Sequence, residues 1–395
     1  MEFDVTWLLL GLPLAFVLGW AASRTDVRQL RIENKRSPKA YFKGLNFLLN
    51  EQQDLAIDAF IEAVQNDPDT SELHFALGNL FRRRGEYDRA VRVHTHLLSR
   101  GDLKQDERDR AQHALSLDFL KAGLLDRAED ALSKLEGTRF ESQARLARLP
   151  IYERTRDWLQ AARIAEQLQA AGQGDFSARI AHYLCEQATP LAQASDKPSN
   201  DAANDLLQRA ILKAPEASRA RIMLSKLLTA MGKHEPAYAT LKDVLEASPA
   251  ATPLVAHDLY TLAVQCQLAP QALALLQAHY AQSHSIDVLE AIIALQTYVS
   301  SQSGAVPGLQ DDARQLYAKH LEKEPSLAVA TRWLAGEKLE HEEFHPQIQR
   351  ALDKAVKPLL QYRCAACGFT AQRHFWQCPG CQTWDSYPAK RVEEL

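Results

Sequence analysis

Residues 36–68 and 70–102 overlay on one another at a fixed offset of 34, which restricts the possible folds more than any other feature of the chain. RSPKAYFKGLNFLLNEQQDLAIDAFIEAVQNDP aligns with TSELHFALGNLFRRRGEYDRAVRVHTHLLSRGD, so Gly44 falls on Gly78, Phe47 on Phe81 and Ala56 on Ala90. Self-similarity at such a period marks units that cannot bury their apolar face alone and must stack on their neighbours. A chain of 395 residues is too long for one compact core, and stacking solves this by extending the core along one axis. Glycine and proline are sparse, 16 and 17 residues, and alanine and leucine dominate, so the units are helical rather than stranded.

The pattern resembles the tetratricopeptide repeat. That repeat carries a small residue and an aromatic in its first helix, an alanine and an aromatic in its second, and a closing proline. In the first unit these are Gly44, Phe47, Ala56, Phe60 and Pro68. The second unit has Gly78, Phe81 and Ala90, with Gly85-Glu86-Tyr87 as its inter-helix turn. Small residues let the paired helices approach, aromatics fill the space beside them, and proline ends the second helix. Later units keep the second helix better: Ala128 follows the Gly123 turn, and Ala161, Ala203, Ala237, Ala272 and Ala313 recur further on. The expected fold is therefore all-α, an α-solenoid of about eight units over 37–340, interrupted by loops at 189–200 and 300–310.

Nothing along the repeats assembles a catalytic group, so a non-enzymatic protein is expected. His94, His96, His113, His182, His341 and His345 are scattered and are expected to be solvated. The run Arg82-Arg83-Arg84 reads as charge complementing a helix C-terminus. A net charge of −4 gives no footprint for a nucleic-acid partner. Cys185 and Cys266 read as buried free thiols in a reducing compartment.

Residues 5–23, VTWLLLGLPLAFVLGWAAS, carry no charge and span roughly 28 Å as a helix, about the thickness of a bilayer core. Trp7 and Trp20 sit near the ends of this segment. Only Glu2 and Asp4 precede it, so it lacks the basic start of a cleaved signal. Arg24, Arg28, Arg31, Lys35, Arg36 and Lys39 follow it. The expectation is a single-pass anchor at 1–23 and a basic juxtamembrane segment at 24–36. The N-terminus would then lie outside and the bulk of the chain in the cytoplasm.

Four of six cysteines crowd into YRCAACGFTAQRHFWQCPGCQTW, residues 362–384. Paired C-x-x-C motifs in a cytoplasmic domain point to one tetrahedral metal site, with ligands Cys364, Cys367, Cys378 and Cys381. Iron and zinc both accept four thiolates, so the metal stays open. Gly368 is expected at positive φ, Pro379 and Gly380 to tighten the second knuckle, and FTAQRHFWQ to form a short hairpin. Phe369, Phe375, Trp376 and Trp384 are expected to cover the metal. His374 is not needed as a ligand. The knuckles are similar to those of rubredoxins and zinc ribbons. The second reads CPGCQ rather than ending in glycine, and the spacing between pairs is short for a rubredoxin. A structural or interaction-bearing site is expected for residues 362–395. A rubredoxin-like iron redox carrier or sensor is the alternative. Residues 341–361 are expected to form a connecting helix whose face Ile348, Ala351, Leu352, Ala355 and Leu359 packs on the last repeat, with the metal unit docked against the array.

With these three parts in order, the chain resembles the lipopolysaccharide assembly protein B family of Gram-negative bacteria. The resemblance is carried by the cysteine segment, GLNFLLNEQQDLAIDAF, HFALGNLFRRRGEYDRAVRVH and AGLLDRAEDAL. It implies an inner-membrane adaptor that helps the membrane-anchored protease FtsH degrade the lipid A deacetylase LpxC. It further implies a lipopolysaccharide-sensing inner-membrane partner. Homo-oligomerisation is left open.

Overall fold

The computed structural model describes residues 13, 15–20, 42–47, 49–50, 52–66, 70–194, 196–302, 309–336 and 342–395. The expected anchor at 5–23 falls largely outside these residues, and the basic segment at 24–36, Pro68 and His341 wholly so. No helix among the described residues is long and apolar enough to cross a membrane. The chain divides into two compact units, 1–156 and 157–395.

The first unit holds α1 (Gln53–Asn66), α2 (Ser71–Arg83), α3 (Tyr87–Ser99), α4 (Gln105–Lys121), α5 (Leu125–Ser133) and α6 (Glu141–Thr155). Each packs on the next, and α2 also reaches α4, the contact pattern of stacked helix pairs. Ala56, Phe60, Ala90 and Ala128 are fully buried and Phe81 nearly so, while Phe47 packs beside them. The turn between α2 and α3 passes through Gly85 at φ 80°, where a side chain would be strained.

Close approach has a specific use at both matched glycines. A Cβ on Gly44 would lie 2.9 Å from the Phe60 ring, and one on Gly78 would lie 2.5 Å from the His94 ring. His94 is 0% exposed, which overturns its reading as a solvated residue. Its Nδ1 faces Asp118 at 2.5 Å, and Arg82 donates to the same buried carboxylate at 2.8 Å. Arg82 therefore serves α4 rather than the end of its own helix. The carboxylate on α4 is compensated by groups from α2 and α3, as a buried charge must be.

The second unit continues with α7 (Trp158–Ala170), α8 (Ser177–Ala194), α9 (Lys197–Lys213), α10 (Ser218–Ala230), α11 (His234–Ala247), α12 (Thr252–Gln265) and α13 (Ala269–Tyr280). It ends with α14 (Ile286–Gln302), α15 (Leu309–Lys323), α16 (Leu327–Ala335) and α17 (His345–Val356), followed by the cysteine segment. Ala161, Ala203, Ala237 and Ala272 are fully buried, as the repeat pattern requires.

Two expectations need correction here. The segment 189–200 is not a loop, because α8 runs through Pro190 to Ala194 and α9 begins at Lys197. Pro190 is exposed and costs the helix one amide, while α8 remains packed along α9. Pro198 lies in the first turn of α9, where the amide it lacks has no partner anyway, and Asp196 accepts from Ser199 at 3.1 Å. The connecting helix is also shorter than expected, ending at Val356 and not at 361. Val356 and Leu360 pack inward, but Ile348 is 48% exposed and Ala351 and Ala355 are open to solvent.

Candidate metal centre

Two short turns bring the four cysteines together. β1 (Tyr362–Arg363) pairs antiparallel with β2 (Thr370–Ala371), so the first C-x-x-C forms the tip between these strands. The hairpin expected within FTAQRHFWQ instead straddles the knuckle. Gln377 bridges to Trp384 around the second pair. The amide of Gly368 donates to the Cys364 carbonyl at 2.9 Å, and that of Gln382 to the Cys378 carbonyl at 2.8 Å. These equivalent positions have φ 78° and 60°. The positive φ of the second knuckle thus falls on Gln382, not on Gly380.

The two substitutions at these positions should act in opposite directions. Gly368→Ala meets no neighbouring atom within 4 Å, so its cost is backbone strain alone, about 1–2 kcal/mol. It should weaken metal binding in a chelator competition by about tenfold. Gln382→Gly removes the same strain and should bind metal at least as tightly. A large weakening by Gln382→Gly would show that its side chain, not its backbone, matters.

The four sulfurs lie within 4.8 Å of one another, with Cys364 to Cys381 at 3.8 Å and Cys367 to Cys378 at 3.7 Å. A metal bound to sulfur at about 2.3 Å in a tetrahedron gives edges of about 3.8 Å, so the set fits one ion. Burial opposes ionisation of Cys364, but Ser386, 3.3 Å away, and the amides of Cys367 and Ala366 bring it down to about 6. Thr383 lowers Cys381 through its hydroxyl and its amide. At Cys367 the Phe369 amide pulls downward, yet desolvation and the surrounding sulfurs push it up to about 12. Thiolates this close repel, and a cation is what lets all four ionise. His374 stands apart and donates through Nε2 to the Tyr387 carbonyl at 2.9 Å.

Cys364 and Cys378 are buried with Tyr362 and Tyr387, while Cys367 and Cys381 face solvent. Phe375 packs edge-on against Tyr387, near the sulfurs. The two tryptophans do not cover the metal. Trp384 stacks on His182 of α8 at 4.7 Å and meets Trp158 of α7 and Tyr183 edge-on. Trp376 packs against the apolar core of the helices, and Leu254 of α12 packs beneath Tyr362 and the cysteines. Asp385, at φ 51°, reaches His182 Nε2 at 2.8 Å, and Arg219 of α10 lies over the Trp384 ring. The metal unit is therefore seated on the helices of its own unit. His182, 2% exposed, is part of that seat rather than solvated.

Sequence reasoning missed Thr383 and Ser386, although polar side chains directly after a knuckle are a readable signal. It also missed His182 and Arg219, for which a single helix offers no local signal.

A family model described as "Rubredoxin metal binding domain" matches residues 362–387. Models described as "Tetratricopeptide repeat" match residues 73–111 and 199–260. Lipopolysaccharide assembly protein B of Escherichia coli strain K12 is 31% identical over 387 residues, covering 96% of each chain. Its namesake in Haemophilus influenzae is 29% identical over 396 residues, again covering 96% of each. Among solved structures, a tetratricopeptide repeat protein from Parabacteroides merdae aligns at 16% identity and TM-score 0.33, covering 66% of this chain and 98% of that one. A likeness that loose carries no argument.

Proposed function

The chain belongs to the lipopolysaccharide assembly protein B family, and from that premise we propose that it is a non-enzymatic adaptor tethered to the inner membrane. In this reading it presents the deacetylase LpxC to the protease FtsH and so limits the flow of precursor into lipid A. A lipopolysaccharide-sensing membrane protein adjusts that activity. The supporting observation is the seat of Trp384 on His182, Trp158 and Tyr183. It makes the metal unit part of a composite protein surface rather than a freely moving carrier. The apolar segment 5–23 acts as the tether and holds adaptor and protease on one membrane, where short linkers give effective concentrations in about the millimolar range.

In cells depleted of this chain, the half-life of LpxC should lengthen severalfold and return to normal with the full chain. A version lacking residues 1–23 at native expression should not restore it. An unchanged half-life on depletion would sink the adaptor reading, and full rescue by the untethered form would sink the role of the tether. The exposed sulfurs of Cys367 and Cys381 favour one other reading, an iron redox carrier. A reversible iron chromophore that exchanges electrons with a cellular reductase would distinguish it.

A further inference from the structure

Residues 390–395 belong neither to the repeats nor to the cysteine knuckles, yet they touch both. The Val392 amide donates to the Gln361 carbonyl at 2.8 Å and the Glu393 amide to the Leu359 carbonyl at 3.1 Å. Their backbone is thus tied to the stretch that leads into β1 and Cys364. The Arg391 guanidinium lies over the ring of Tyr362, 4.3 Å from its centroid, and Tyr362 shares a core with Cys364 and Cys378. Arg391 also grips Asp287, in the first turn of α14, through two bonds of 2.8 Å.

The two glutamates go to helix ends. Glu394 accepts from the Ile286 amide, the first of α14, at 2.6 Å. Glu393 accepts from the first amides of α16, Leu327 and Ala328, and from the Ser326 hydroxyl at 3.0 Å. Ser326 in turn caps Val329 at 3.0 Å. First-turn amides have no partner within their own helix, and the helix dipole favours a carboxylate there. α14 and α16 are therefore capped from the far end of the chain.

We infer that residues 390–395 are a strap coupling metal occupancy of the four-thiolate site to the order of α14 and α16. A knuckle this small has no adequate core of its own, so the metal supplies its folding energy. Losing the metal frees Tyr362 and the 359–361 stretch, the strap loses the backbone it pairs with, and Glu393 and Glu394 leave the helix ends. The coupling is reciprocal, so breaking the caps weakens metal binding by the factor with which metal loss weakens the caps. The inference rests on the cysteines holding a metal and not on the adaptor reading.

Amide exchange on the full chain tests it, with metal content measured in every sample. In the wild type, stripping the metal with a chelator should speed exchange at the starts of α14 and α16 by about tenfold. Glu393→Ala with Glu394→Ala should show that fast exchange already in the loaded state, with little further change on chelation. The same variant should bind zinc about tenfold more weakly by competition. Asp287→Asn, which leaves both caps in place, should shift the same readouts in the same direction by less. The inference is overturned if chelation removes the metal completely yet leaves these amides protected. It is equally overturned if the double alanine variant exchanges and binds zinc like the wild type.

Discussion

Replacing Cys364 or Cys381 with serine should empty the tetracysteine site and unfold residues 362–395. Three thiolates and a hydroxyl hold a borderline-soft ion poorly, and structural zinc sites contribute on the order of 10 kcal/mol to the folding of small domains. Bound metal should fall from about one per chain to near zero by elemental analysis. Limited proteolysis should open new cleavage sites after residue 361. Far-UV circular dichroism should change little, because the helices of 70–302 bury their own apolar faces. Full metal occupancy in both variants would show that the ligand set is wrong.

Gly78→Ala should cost the first unit about 3 kcal/mol or more, far beyond the usual penalty for one methyl group. The added Cβ would sit 2.5 Å from the His94 ring, which is itself fully buried. The ring cannot turn aside without releasing Asp118, a buried carboxylate that among the described residues is otherwise held by Arg82. Overpacking and a broken ionic network therefore act together. Gly101→Ala is the control, since nothing lies within 4 Å of its new Cβ, and it should change stability by less than about 0.5 kcal/mol. Denaturant unfolding of both variants decides the matter. Equal midpoints would show that the α2–α3 approach has slack.

The helix pairs were legible because their requirement is local and repeated. A small residue must recur wherever two backbones meet, so Ala56 and Ala90 could be found by spacing and Ala128 from the Gly123 turn before it, and all three are fully buried. The sulfur cluster was legible because a thiolate tetrahedron imposes short spacings along the chain. His94 was not, because its burial depends on Asp118, a whole helix away, and on the space left by Gly78. The seat of Trp384 was only half legible. The aromatic content of the tail favours docking against the array, but its partner His182 is remote in sequence and periodicity does not encode such pairs. The 189–200 segment misled because proline marks both a loop and a helix start. Only the Asp196 cap on Ser199 separates the two.

The long stretch of sequence between Arg391, Glu393 and Glu394 and the helices they hold has a consequence for the order of folding. Helix pairs near the N-terminus can close while the ribosome is still adding residues, since each needs only its neighbours. α14 and α16 emerge earlier, but their capping carboxylates follow 108 and 65 residues later. Both helix ends can therefore be capped only once residues 393 and 394 have been added. A chain cut short by a premature stop or a nick before Arg391 lacks both caps and the Asp287 grip, even when all four cysteines are present.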